Sequence, residues 1–146
     1  MLLNFIRTML QNLDKQLKRP HFGLHLTFDG YGCDRKILNS KEKTLLFLNS
    51  LVKNLKMKKL FGPKIVRAPG NGKKDPGGWS GFVIIQESHF SVHTFPKRKF
   101  VSVDVYSCRD FDYKKATSFV KKFFRARSIE AHLVVRGRKY PQRNVL

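Results

Sequence analysis

The sequence predicts an α+β fold: an α/β two-layer sandwich with one largely antiparallel sheet and helices on one of its faces. Three observations carry this. Residues 22–29, 89–95 and 100–106 alternate apolar and polar side chains with the period of two that a half-buried strand requires. Residues 40–59 and 110–126 repeat apolar side chains at helical spacing instead. The strands expected at 79–87, 89–95 and 100–107 follow one another through short turns, which makes them antiparallel neighbours.

Taken in order, residues 1–18 place Leu2, Ile6, Met9, Leu10, Leu13 and Leu17 on one helical face. This predicts an amphipathic helix docked on the body. Its sharper alternative is a helix lying on a membrane surface, although Asn4, Asn12 and Asp14 leave the polar face only weakly basic. Arg19-Pro20 ends it. The chain therefore divides into a helical extension, 1–20, and a single domain, 21–146, without internal repeats. A strand over Phe22–Asp29 leads into a turn at Gly30–Asp34. Ser40 caps a helix expected to reach Lys59, with Leu45, Leu48, Leu51, Val52 and Leu55 as its buried stripe. Leu60–Ala68 reads as a strand. Pro69–Gly78 is irregular; its glycines fit neither a Walker nor a dinucleotide pattern, so it reads as a loop over or beside a site. Asp110 or Asp112 caps a helix to Ala126, with Phe111, Ala116, Phe119, Val120, Phe123 and Phe124 as candidate buried positions. A last strand spans Ser128–Arg136, and 137–146 is a basic tail.

The 146 residues suffice for one packed core, and Lys+Arg of 30 against Asp+Glu of 10 gives a net charge of +20. Such a field attracts polyanions, or reflects a lysine-rich solvated surface. An RNA-binding module is the nucleic-acid reading. Against it, Lys99–Tyr106 lacks the glycines of an RNP motif and Asp104 would repel phosphate, so no nucleic-acid partner is expected. Cys33 and Cys108 form no disulfide framework, and Cys33 is assigned to packing. No apolar run reaches the roughly 18 residues of a membrane span. The N-terminus lacks a basic region and a cleavage site, so the expected location is the cytoplasm.

One polar set stands out. His89, Ser91, His93 and Phe95 share one side of their strand, and Ser102, Asp104 and Tyr106 share a side of the next. Both sides are expected to face away from the helices. A polar sheet face is ordinarily only wet. Two histidines and serines aligned beside a Glu-Ser step also suit a catalytic site. Ser80 can serve merely as a strand start, His93 as a sheet histidine and Cys108 as a small hydrophobe.

The run Gln86-Glu87-Ser88-His89-Phe90-Ser91-Val92-His93-Thr94-Phe95-Pro96, followed by Val103-Asp104-Val105-Tyr106-Ser107-Cys108, closely resembles the small prokaryotic S-adenosylmethionine decarboxylases. Upstream, His25–Asp34 is similar to that family's N-terminal strand and Ser80-Gly81 to its Ser-Gly pair. The resemblance covers roughly residues 22 to 135 and leaves the first helix outside.

The resemblance implies a self-processing zymogen of polyamine and spermidine biosynthesis. The Ser88 hydroxyl attacks the Glu87 carbonyl, the chain is cut between residues 87 and 88, and Ser88 becomes a pyruvoyl group. The products are chains 1–87 and 88–146. Ser80 and His93 correspond to processing residues. The pyruvoyl ketone forms a Schiff base with a cationic small-molecule substrate, and Cys108 corresponds to the acid that reprotonates the α-carbon. Neither pyridoxal phosphate nor a metal is implied, and the active form is a homodimer of processed protomers. Two departures bear on the substrate. Lys97 stands where the family has an acidic ribose-binding residue, and Ala68 stands where it has an adenine-stacking aromatic. Trp79 or Phe28 would have to stack instead, and Asp29 is the best acidic candidate for a cationic side chain. Some relatives of the family decarboxylate L-arginine or L-ornithine, which is the alternative substrate class. A regulatory homologue that has lost processing is the alternative role.

Overall fold

The computed structural model describes residues 1–146. The elements run α1 (Leu2–Leu17), β1 (Gly23–Tyr31), α2 (Arg35–Leu38), α3 (Lys41–Asn54), β2 (Lys59–Ala68), β3 (Gly78–Ile85), β4 (Ser88–Phe95), β5 (Phe100–Ser107), α4 (Tyr113–Phe124) and β6 (Ser128–Arg136). The strands form one six-stranded sheet in the order β2-β3-β4-β5-β1-β6. Every neighbouring pair is antiparallel. The fold class expected from the sequence holds.

The alternation read from the sequence sorts side chains between the two faces. Leu24, Leu26 and Phe28 of β1, Val83 and Ile85 of β3, Phe90 and Val92 of β4, and Val101, Val103 and Val105 of β5 are buried under the helices. α3 contributes Phe47, Leu48, Leu51 and Val52 to the same core, and α4 contributes Ala116, Val120 and Phe124. Ser40 accepts the Lys43 N–H at 3.1 Å, and Asp112 accepts the Lys115 N–H at 2.9 Å, so both long core helices begin on side-chain caps.

Three boundaries differ from expectation. β1 runs on through Gly30 to Tyr31 in place of a turn, because β5 and β6 pair with it along that whole length. A Cβ at Gly30 would stand 2.9 Å from the Val101 side chain, so glycine is what the crowded centre admits. α2 is a short extra helix capped by Asp34. α3 ends at Asn54, not Lys59: Leu55 and Met57 turn into the core, and Lys56 takes φ 53°. Nothing in α1 is buried.

Candidate active site

The β3–β4 hairpin closes on Gln86-Glu87, with Ile85 paired to Ser88. A tight hairpin normally places its positive φ within the loop. Here a non-glycine residue just beyond it carries one: Ser88 has φ 145°. That region is close to glycine-only and costs of order 1–3 kcal/mol for a side-chain-bearing residue. The strain therefore sits on the Ser88 side of the Glu87–Ser88 peptide bond.

The neighbouring strand holds the other side of that bond. Ser88 lies opposite Ser107 at the end of β5. One residue on, the Cys108 N–H donates to the Glu87 carbonyl oxygen at 2.8 Å. Buried Ser107 closes the turn that presents Cys108: its hydroxyl donates to the Arg109 carbonyl at 2.7 Å and accepts the Arg109 N–H at 3.0 Å. The Cys108 side chain is thereby left exposed. The Arg109 guanidinium donates to the Leu55 and Lys56 carbonyls at 3.2 and 2.6 Å, anchoring this turn to the end of α3. It also lies 3.9 Å from Glu87 Oε1. The other carboxylate oxygen of Glu87, Oε2, is buried without a partner. Cys33 has no part in this: burial pushes its thiol up to about 11, so it stays protonated in the core.

The open face of the sheet carries the remaining polar residues in rows set by the register. Ser80 lies opposite His93, with its Oγ 2.9 Å from Nδ1. His93 lies opposite Ser102, whose hydroxyl donates to Asp29 at 2.8 Å. In the next row Asp104 accepts from His25 Nε2 at 2.7 Å and from Ser91 Oγ at 3.4 Å. The Tyr106 ring lies between those of His25 and His89, at 5.5 and 5.6 Å, with the Arg136 guanidinium 4.3 Å above it. No three His, Cys, Asp or Glu residues converge in a geometry that could hold a metal ion.

The expected site residues thus fall into two groups. Glu87, Ser88 and Cys108 meet at one end of β4. Ser80 and His93 meet with each other farther along it. His93 is five residues from Ser88 on the same strand, which at about 3.3 Å per residue sets them roughly 16 Å apart. Asp29 is on the open face but already bonded to Ser102.

Two candidates need correction. Phe28 is 1% exposed and belongs to the core beneath the helices, so its ring cannot stack on a ligand at the open face. Trp79 alternates with Val83 and Ile85 on the helix side, donates from Nε1 to the Asn39 carbonyl at 3.0 Å and packs under the Arg67 guanidinium. Its ring is committed there, away from Ser80. The aromatic on the open face nearest Ser80 in β3 is Phe82, stacked on Phe61 at 6.2 Å. Phe82, Arg109 and the His25–Asp104 pair carry no sequence motif that marks them as part of a site.

The family model described as S-adenosylmethionine decarboxylase matches residues 24–137, which include every residue of both groups. The chain belongs to the S-adenosylmethionine decarboxylase family. It is 30% identical over 117 residues to the S-adenosylmethionine decarboxylase proenzyme of Clostridium botulinum, strain Langeland, covering 80% of this chain and 95% of that one. It is 34% identical over 116 residues to the proenzyme of Clostridium kluyveri, covering 79% and 86%. The crystal structure of the adenosylmethionine decarboxylase from Aquifex aeolicus superposes with a TM-score of 0.70 at 26% identity, over 85% of this chain and 97% of that one. Within this decarboxylase family match, α1 lies outside the matched residues.

Proposed function

We propose that the chain is a self-cleaving, pyruvoyl-dependent decarboxylase acting on S-adenosylmethionine. The observation that carries this reading is the peptide bond at Glu87–Ser88, strained at Ser88 and polarised at its carbonyl by the Cys108 N–H.

The residues around that bond suit the chemistry in sequence. The Ser88 Oγ bonds to the Glu87 carbonyl carbon, and the negative charge that develops on the oxygen is met by the Cys108 N–H already directed at it. The C–N bond breaks as the hydroxyl proton passes to the Ser88 nitrogen, so an ester and a free amine replace the amide, which releases the strained backbone. A base then removes the Ser88 α-proton and the Glu87 carboxylate departs, cutting the chain. The dehydroalanine left behind takes up water and loses ammonia, giving the pyruvoyl end of chain 88–146. That group supplies the electron sink for the carbanion formed as carbon dioxide leaves. Cys108, exposed and one residue past the strand paired to Ser88, is the proton donor to that carbon. The buried, unpartnered Glu87 Oε2 is an acceptor suited to a cationic substrate.

The base is His93, hydrogen-bonded to Ser80. Its separation from Ser88 along β4 makes the site incomplete in one protomer. A second copy packed against this open face supplies it, with His93 of the partner subunit reaching the Glu87–Ser88 bond at the end of β4. Exposed Phe82 and Ile84 give that face apolar area for a copy to cover.

A second substrate reading, L-arginine or L-ornithine, rests on a specific loss. Lys97 replaces an acidic ribose acceptor, Ala68 offers no ring, and neither Phe28 nor Trp79 reaches the open face. Carbon dioxide release from the purified, cleaved protein decides, with Ser88→Ala as blank and S-adenosylmethionine, L-arginine and L-ornithine as substrates. Release above the blank is expected with one of them. Turnover of S-adenosylmethionine alone rejects the second reading, and none with any of the three rejects both.

A further inference from the structure

α1 carries one apolar stripe past the edge of the domain. At its C-terminal end Leu13 and Leu17 are half-buried, Leu13 lying beside Leu26, Ala131 and Leu133 at the β6 edge of the helix layer. Arg138 donates to the Gln16 carbonyl at 2.8 Å and ties this end down. Farther toward the N-terminus the stripe is covered on one flank only, where Met9 and Leu10 border Ala131 and Leu133 of β6. Phe5 is 64% exposed, Ile6 45%, Met9 56% and Leu10 49%. A helix with a wide apolar arc left open in this way is built to be covered.

Charge indicates by what. Lys114 and Lys121 of α4 line the groove that holds Leu13, on the same side as the stripe. Arg7, Lys15, Lys18 and Arg19 lie along the helix and just beyond it, against a single acid, Asp14. The whole chain carries +20. A second copy seated on this stripe would bring these cations against their own kind. An anionic bilayer surface complements both features, taking the stripe into its interface and the lysines to its phosphates. Stable attachment needs two such signals, and both are present here. No helix is long and apolar enough to cross a membrane, so this is attachment in the plane of the interface.

We infer that α1 docks the protein on an anionic lipid surface. Co-sedimentation of the full chain with vesicles of phosphatidylcholine, with and without phosphatidylglycerol, tests this at low and high salt. Binding to the phosphatidylglycerol vesicles is expected, reversed by salt. The double variant Phe5→Ser/Met9→Ser leaves the charge untouched and should bind about tenfold more weakly or less. Lys114→Gln/Lys121→Gln should bind more weakly and lose part of the salt dependence. No binding to anionic vesicles would overturn the inference. So would unchanged binding of Phe5→Ser/Met9→Ser, which would leave only non-specific adhesion of a basic protein. A fall in that variant's oligomer mass with lipid binding intact would assign the stripe to a second copy and likewise overturn it.

Discussion

Replacing Ser88 by glycine and by alanine separates the backbone strain from the chemistry. Both variants lack the hydroxyl, so neither should cleave, and both can be compared as uncut chains. They differ in the Cβ. At φ 145° a side-chain-bearing residue costs about 1–3 kcal/mol that glycine avoids. Glycine gives back about 0.5–1 kcal/mol through the greater freedom of its unfolded chain. Ser88→Gly should therefore be the more stable by about 1 kcal/mol. For a chain of 146 residues this corresponds to roughly 3 °C in melting temperature. Calorimetry or a circular dichroism melt of the two proteins measures it, after mass spectrometry has shown both to be intact. Elsewhere in a strand, alanine is the better residue, so the expected order reverses the ordinary one. If Ser88→Ala proves equally or more stable, the strained bond is not a feature of the folded protein.

Other expectations concern the two halves of the site and the segment beside it. His93→Ala alone should cleave at least about 100-fold more slowly. Co-folded with Ser88→Ala it should recover, because each mixed dimer then retains one complete site; failure of the mixture to cleave would return the base to the same chain. Cys108→Ala should still self-process, since the donor to the Glu87 carbonyl is a backbone N–H, yet lose about 10²–10⁴ in turnover of added substrate. Uncut Cys108→Ala would contradict this division of labour. His21 is held between the Arg19 carbonyl, at 2.8 Å, and the Asp110 carboxylate, at 3.1 Å. Those two raise its pKa above the ordinary 6.5 against burial and the nearby Arg138 charge. The raised value means the folded state holds the proton more tightly. The stability it contributes is full below 6.5 and fades as pH rises through the raised value. Melts taken from about pH 5.5 to about pH 8.5 should show that decline in the native chain and less of it in His21→Gln.

What the sequence made legible was local and periodic. Alternation in β1, β4 and β5 and the α3 and α4 stripes place the core. The end of α3 could not be read, since Lys56, Lys58 and Lys59 continue a helical pattern without conflict. It is set by distant parts: Leu55 and Met57 reach the core, and Arg109 caps the last carbonyls from across the chain. The positions of Phe28 and Trp79 are legible too, for the same period of two puts Phe28 with Leu24 and Leu26, and Trp79 with Val83 and Ile85, on the helix side. Glu87-Ser88 and Cys108 were visible as a motif, but the strain on Ser88 and the hydrogen bond joining Cys108 to Glu87 were not. The His25–Asp104 pair, 79 residues apart in sequence, depends on the β1–β5 register, which no local pattern specifies. The separation of His93 from Ser88, by contrast, follows from their five-residue spacing on one strand.

The proposed activity depends on the Glu87–Ser88 bond. The intact mass of the purified chain after incubation measures its fate directly. The account requires two products, residues 1–87 and 88–146, the second lacking a free amino terminus, with Ser88→Ala remaining whole. A wild-type chain persisting as a single 17.0 kDa species would contradict it.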